Sequence, residues 1–245
     1  MSPRTHYSNA PITEAILDIR TTSPEGLALE RLEEIHSLIQ EDYPSKQQRN
    51  LARGRWNFGT QVGATATQTP LGYLFLSPDE KQIVQVRMDG FTMSRLAPYE
   101  SWEQIRDEAH RLWEIYSESI QPRSIERVAV RYINRIDIPL PFGDLTEYLR
   151  TIPQVSPDLP QELSGLFMQL TLPQPDIDSE ARLSEALIDP VREGVVSIVL
   201  DIDLYRIKKL PYHGDAIWEF FEILHDRKNR IFEACITDRT RELIS

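Results

Sequence analysis

Residues 127–139 read RVAVRYINRIDIP, and their parity decides the fold. Val128, Val130, Tyr132, Ile136 and Ile138 share one parity, interrupted by Asn134. Arg127, Arg131, Arg135 and Asp137 share the other, with Ala129 and Ile133 between them. Side chains alternate across a strand, so one face belongs to a core and the other carries three arginines at four-residue spacing.

Working outward, residues 13–21 repeat the pattern, with Ala15, Leu17 and Ile19 opposite Glu14, Ile16, Asp18 and Arg20. Ser23-Pro24-Glu25 predicts a helix start, with a serine cap, a proline at the first position and an acid at the positive end of the dipole. The helix is expected to run to about Glu41 with Leu27, Leu32, Ile35, Leu38 and Ile39 inward. Period-two segments at 53–61, 71–77, 82–89 and 91–96 predict a meander, and Asp89-Gly90 signals a tight hairpin. Trp102, Ile105, Ala109, Leu112, Trp113 and Tyr116 then fall at helical spacing over 102–120.

Beyond Pro122 the same order recurs. After the strand at 125–139 come a short helical turn at 144–150, a proline-rich loop, strands at 165–172, 180–188 and 195–207, and a long helix from Asp215. The expected fold is therefore α+β: two similar β-α-β(3-4)-α halves, 1–122 and 123–245, with antiparallel meander sheets and long helices packed on one face. Each half would bury one sheet face, and joining the sheets would hide exposed edges.

The charged face admits three readings. Glu14 and Asp18 share the four-residue spacing of Arg131 and Arg135, so the two first strands can form an ion-pair ladder between halves. Alternatively Arg131 and Arg135, joined by Arg87 and Arg55, form a floor for a carboxylate or phosphate, with Glu14 and Tyr132 lining it. The third reading is contact with an external partner.

Other chemistry is thin. HExxH, GxSxG, P-loop and glycine-rich dinucleotide motifs are absent, and ten glycines are few for a cofactor cradle, so no cofactor is expected. Asp201 and Asp203 stand two apart as metal-binding acids can, but no partner motif accompanies them, and solvated strand acids are the simpler expectation. His225 and Cys235 lie ten residues apart on one helix, roughly 15 Å by helical rise, too far for a thiol and its base. His213, in PYHG, is the histidine best placed at a loop mouth.

The net charge of −11 divides evenly, with 12 basic and 17 acidic residues before Arg123 and 15 and 21 from there on. No basic half exists, which disfavours nucleic acid. The single cysteine excludes an internal disulfide, the opening residues lack a signal peptide's apolar core, and no 18-residue apolar run occurs. A cytoplasmic protein without a membrane partner is expected.

The segments APITEAILDIR (10–20), DGFTMSRLAPYESW (89–102) and RYINRIDIP (131–139), with Leu224, His225, Phe232 and Thr237, resemble a sporadically distributed bacterial family of about 250 residues. The resemblance covers essentially the whole chain. It implies a bacterial cytosolic protein inherited in the manner of accessory genes, and it brings no activity or catalytic residues. Together these readings lead to a non-enzymatic protein holding a protein partner, in a defence or toxin-control setting. The alternative is a small anionic ligand or nucleotide bound between sheet and helices, with or without catalysis.

Overall fold

A computed structural model describes residues 7–57, 63–161 and 163–245, with 51–57 and 63–68 described by their backbone. The chain is α+β. The elements in order are β1 (Ile12–Thr22), α1 (Leu29–Ile39), β2 (Ser45–Asn57), β3 (Gly63–Leu76), β4 (Gln82–Arg87), β5 (Gly90–Leu96), α2 (Trp102–Ile120), β6 (Ser124–Pro139), β7 (Phe167–Gln174), β8 (Ser179–Ile188), β9 (Val195–Leu210), α3 (Ala216–Cys235) and α4 (Asp238–Ile244). The strands form one antiparallel nine-stranded sheet in the order β2-β3-β4-β5-β1-β6-β9-β8-β7. The opening stretch is thus a central strand, paired to β1 on one side and β9 on the other.

The apolar parity of these strands builds the core. Ala15, Leu17 and Ile19 of β1 and Val128, Val130 and Tyr132 of β6 are buried in one cluster with Leu32 and Ile35 of α1, Leu112 and Trp113 of α2, and Phe221 and Leu224 of α3. A second cluster joins Ile136 and Ile138 of β6 to Leu200 and Ile202 of β9, Phe232 of α3 and Ile244 of α4. The first cluster draws on both sides of Pro122, so the two sequence halves share a core. Buried aliphatic and aromatic side chains of this kind each contribute about 1.5–3 kcal/mol.

Local chemistry sets the boundaries. Ser101 caps α2 by accepting from Gln104 N, and Gln121 ends it in the left-handed conformation at φ 52°, just before Pro122. The start expected at Ser23 is not a helix. Gly26 takes φ +73° within a turn, which stops a helix from propagating, and α1 begins six residues later behind Ala28 without a side-chain cap. Burial of Leu32, Ile35 and Ile39 holds α1 in place, whereas Leu38 is exposed. β2 begins well before the expected residue 53, because 45–50 (SKQQRN) is an exposed edge segment with no core face to impose alternation.

Gly90 is the first residue of β5 and lies opposite Arg87, so the hairpin turn is Met88-Asp89. At φ +150°, a Cβ on Gly90 would sit 2.3 Å from the Ile19 carbonyl oxygen. The backbone of β5 can approach β1 this closely only without a side chain.

Candidate functional site

The charged face of β1, β6 and β9 carries an ion-pair network centred on Asp18. Its Oδ1 accepts from Arg87 Nη2 at 2.9 Å and Thr92 Oγ1 at 2.7 Å, while Oδ2 accepts from Arg127 Nη1 at 2.9 Å and Arg20 Nε at 3.3 Å. Arg127 Nη2 also donates to both oxygens of Asp203, at 3.0 and 3.1 Å. Arg131 forks onto Asp201 through Nε at 2.9 Å and Nη2 at 2.6 Å. Burial alone would raise the pKa of Asp18, but Arg87, Arg20, Thr92 and Arg127 together hold it below the usual carboxylate value. For Asp203 burial prevails over its arginines and the shift is upward.

The register explains the reach of Arg127. Ala129 lies directly between Asp18 on β1 and Tyr205 on β9. Because alanine leaves the space above it empty, the Arg127 guanidinium extends over this row, 4.6 Å from the Tyr205 ring, to meet Asp18 and Asp203.

The expected ladder from Glu14 and Asp18 to Arg131 and Arg135 is therefore corrected. Asp18 pairs one period earlier, with Arg127, and Arg131 turns to β9. Glu14 lies opposite Ile133 and acts on Arg131 only as the weakest of several charges supporting its cationic form. Asp201 and Asp203 are not solvated strand acids. They accept from Arg131 and Arg127 respectively, with side chains 14% and 12% exposed. Parity placed them on one face, but which neighbouring strand they would meet was not readable.

The other candidate residues do not assemble around Arg131. Arg87 is buried in the Asp18 cluster, and the Arg55 side chain lies outside the described residues. Tyr132 occupies the opposite sheet face, fully buried beneath α3, with its hydroxyl 2.9 Å from that of Tyr99. Among the described residues Arg135 makes one ionic contact, Nε to Asp137 Oδ1 at 3.3 Å, and that nitrogen makes no hydrogen bond. His213 packs on Tyr212 and lines a separate cleft of 360 Å³ with His110, Trp113 and Trp218.

Two buried ionisable groups had no sequence signal beyond their positions. Lys228 of α3 lies with Nζ 3.6 Å from the Tyr132 ring centroid, and burial lowers its pKa to about 7. Glu185 of β8 is fully buried, neither carboxylate oxygen has a hydrogen-bond partner, and burial raises its pKa to about 7. Cys235 is likewise buried, and its thiol is pushed up to about 11.

A groove of 930 Å³ lies between the end of α1, the β3–β4 turn, β5 and the start of α2. Glu41, Asp42, Asp79, Glu100, Asp107 and Glu108 line it against only Arg95 and Arg111, over a floor that includes Met93 and Ile105. Arg111 spans Asp42 and Glu108, Arg95 meets Glu100 at 3.1 Å, and Arg106 beside the groove meets Asp107 at 2.7 Å, so Glu41 and Asp79 lie outside these ion pairs. The Tyr43 hydroxyl donates to Glu108 at 2.8 Å and fixes the inner wall. The acids come from segments far apart in sequence, so no local motif announced the groove.

Among the described residues no group of three or more His, Cys, Asp or Glu side chains is placed to hold a metal ion. Nor, among them, is any helix long and apolar enough to cross a membrane. No protein-family model and no curated protein matches this sequence. The fold and the groove define an α+β protein with a neutralised sheet face and one strongly acidic concavity.

Proposed function

We propose that this is a non-enzymatic binding protein that holds a basic segment of a protein partner in the acidic groove. One observation carries the reading: six carboxylates line a 930 Å³ concavity with an apolar floor, and Arg95, Arg111 and the adjacent Arg106 pair with four of them. Lysine and arginine stems suit such a floor while their heads meet the rim, and complementary charge speeds and directs association. The partner role belongs to a cytoplasmic bacterial accessory system, of defence or toxin control, a setting supported by the resemblance described above.

We read the scaffold as two similarly built units, 1–122 and 123–245, joined through β1 and β6 with long helices over one face. On each side of that junction the first strand pairs with the last of its meander, β1 with β5 and β6 with β9. A second reading, a small anionic ligand, draws on Arg135, whose side chain is 37% exposed and whose Nε makes no hydrogen bond.

The test is fluorescence anisotropy with an arginine-rich peptide and with a phosphate-bearing nucleotide. Peptide binding that weakens with salt and is lost in Glu41→Lys/Asp107→Lys supports the groove. Nucleotide binding lost in Arg135→Ala, without peptide binding, overturns it in favour of the anionic ligand.

A further inference from the structure

The two edges of the nine-stranded sheet are β2 and β7. Each leaves a row of backbone N–H and C=O groups unpaired within the sheet, and such a row invites another strand unless charge or proline guards it. β2 carries Lys46, Arg49, Arg53 and Arg55 in its sequence, whereas β7 (FMQLTLPQ) carries no charge, and the uncharged run extends over residues 163–175. In a chain with 27% charged residues, one edge is guarded and the other is left open.

The ladder fixes which groups of β7 face outward. Leu187 N donates to Leu166 O at 3.0 Å, and this pair continues the β7–β8 register. Antiparallel pairs alternate, so the backbone groups of Leu166, Met168, Leu170 and Leu172 turn to β8, and those of Phe167, Gln169, Thr171 and Pro173 turn away from it. Pro173, which has no N–H, therefore costs the β7–β8 ladder nothing. Among the described residues no backbone hydrogen bond outside the ladders reaches Phe167, Gln169 or Thr171. The side chains are open too: Phe167 is 74% exposed, Leu172 38%, and Leu166, Met168 and Leu170 are only half-buried.

We propose that β7 pairs antiparallel with β7 of a second copy of this chain, about a two-fold axis through Gln169, so that one sheet continues into the other. In this register the outward groups of Phe167, Gln169 and Thr171 meet those of Thr171, Gln169 and Phe167 of the second copy, and no bond calls on Pro173. Met168 then lies opposite Leu170, and Leu166 opposite Leu172, on the core side of the sheet, with Phe167 opposite Thr171 on the other side. The next register in phase, centred on Leu170, would set Phe167 opposite Pro173 and lose a donor. A two-fold contact must be self-complementary, and this edge is: apolar side chains meet apolar side chains on the core side, and no charge meets a charge. Two chains of net charge −11 repel, so an edge free of acid is where they can approach. The complement of this edge is thus already on the chain, which favours a second copy over a strand of another protein. The proposal is independent of the acidic groove.

Sedimentation velocity and amide exchange of the full chain test it. The expected mass is twice the 28.4 kDa of one chain, with association strengthened by salt, which screens the repulsion between copies. Exchange at Phe167, Gln169 and Thr171 is expected to slow as concentration rises. Phe167→Lys/Thr171→Lys sets lysine opposite lysine at two exposed positions and is expected to weaken association at least ~10-fold with unchanged circular dichroism. Phe167→Lys/Thr171→Glu sets lysine opposite glutamate and is expected to restore it. A wild-type chain monomeric at every concentration and salt, a dimer indifferent to the lysine pair, equal weakening by both variants, or a dimer in which those three amides still exchange freely overturns the proposal. A monomeric wild type whose three amides are protected by an added peptide of residues 165–173 overturns the second copy in favour of another protein's strand.

Discussion

Asp18 accepts a 2.9 Å hydrogen bond from Arg127, although the residue directly opposite it on β6 is Ala129. The contact is diagonal, and through Asp203 the same guanidinium ties β1 to β9 across the strand between them. Three strands are thus joined by one side chain lying over a small residue.

Removing Asp18 should be costly. Its side chain is 13% exposed and that of Arg87 6%, so Asp18→Ala leaves buried guanidinium charge uncompensated, a loss of about 3–5 kcal/mol. Replacing both, as Asp18→Leu with Arg87→Met, should cost less than the two single losses summed. Urea unfolding measures this double-mutant cycle, and a single-variant loss below about 1 kcal/mol would show the network to be solvated.

Filling the space over Ala129 should break the diagonal. Ala129→Leu places a side chain where Arg127 lies, with an expected loss of about 1–3 kcal/mol. The diagnostic is coupling. Asp203→Asn should destabilise the wild type more than the Ala129→Leu background, and equal effects in both would mean that Arg127 does not need this route.

The buried groups Glu185 and Lys228 predict an unusual pH profile. The Glu185 pKa is raised in the fold from 4.5 to about 7, so its carboxyl favours the folded state most below pH 4.5 and destabilises progressively as pH rises to 7. The Lys228 pKa is lowered from 10.5 to about 7, so its penalty is complete below pH 7 and is relieved as pH rises from 7 towards 10.5. Together they contribute a stability minimum near pH 7. Glu185→Gln should stabilise the protein at pH 8 by an amount on the order of 3 kcal/mol and leave it nearly unchanged at pH 4. Thermal melts across this range measure both, and a pH-independent gain would locate the effect in packing.

Gly72 offers a test of the close approach of β3 to β4. It has φ +149°, and a Cβ there would stand 2.0 Å from the Val86 carbonyl oxygen. Gly72→Ala should cost at least ~1–3 kcal/mol and increase amide exchange at the β3–β4 ladder. Unchanged exchange in β4 would mean that the strands part without cost.

Legibility followed range along the chain. Parity in 127–139 and 12–22 was enough to place β1 and β6 as strands with one apolar and one charged face, and helical spacing in 102–120 was enough for α2. At 23–28 the helix signals of Ser23 and Pro24 yielded to the left-handed turn at Gly26. At 45–50 an edge strand carried no alternation, because neither of its faces is buried.

By itself the sequence determined which residues are apolar, which are charged and which parity they share, since covalent geometry sends alternate side chains to opposite faces whatever the neighbours are. Only the tertiary structure decided that Asp18 meets Arg127 and not Arg131, that Tyr132 lies on the far side of the sheet from Arg131, and that six acids from scattered segments converge on one groove. Strand order and register are properties of pairing between distant segments, and hydrogen bonds between backbones carry no record of side-chain identity.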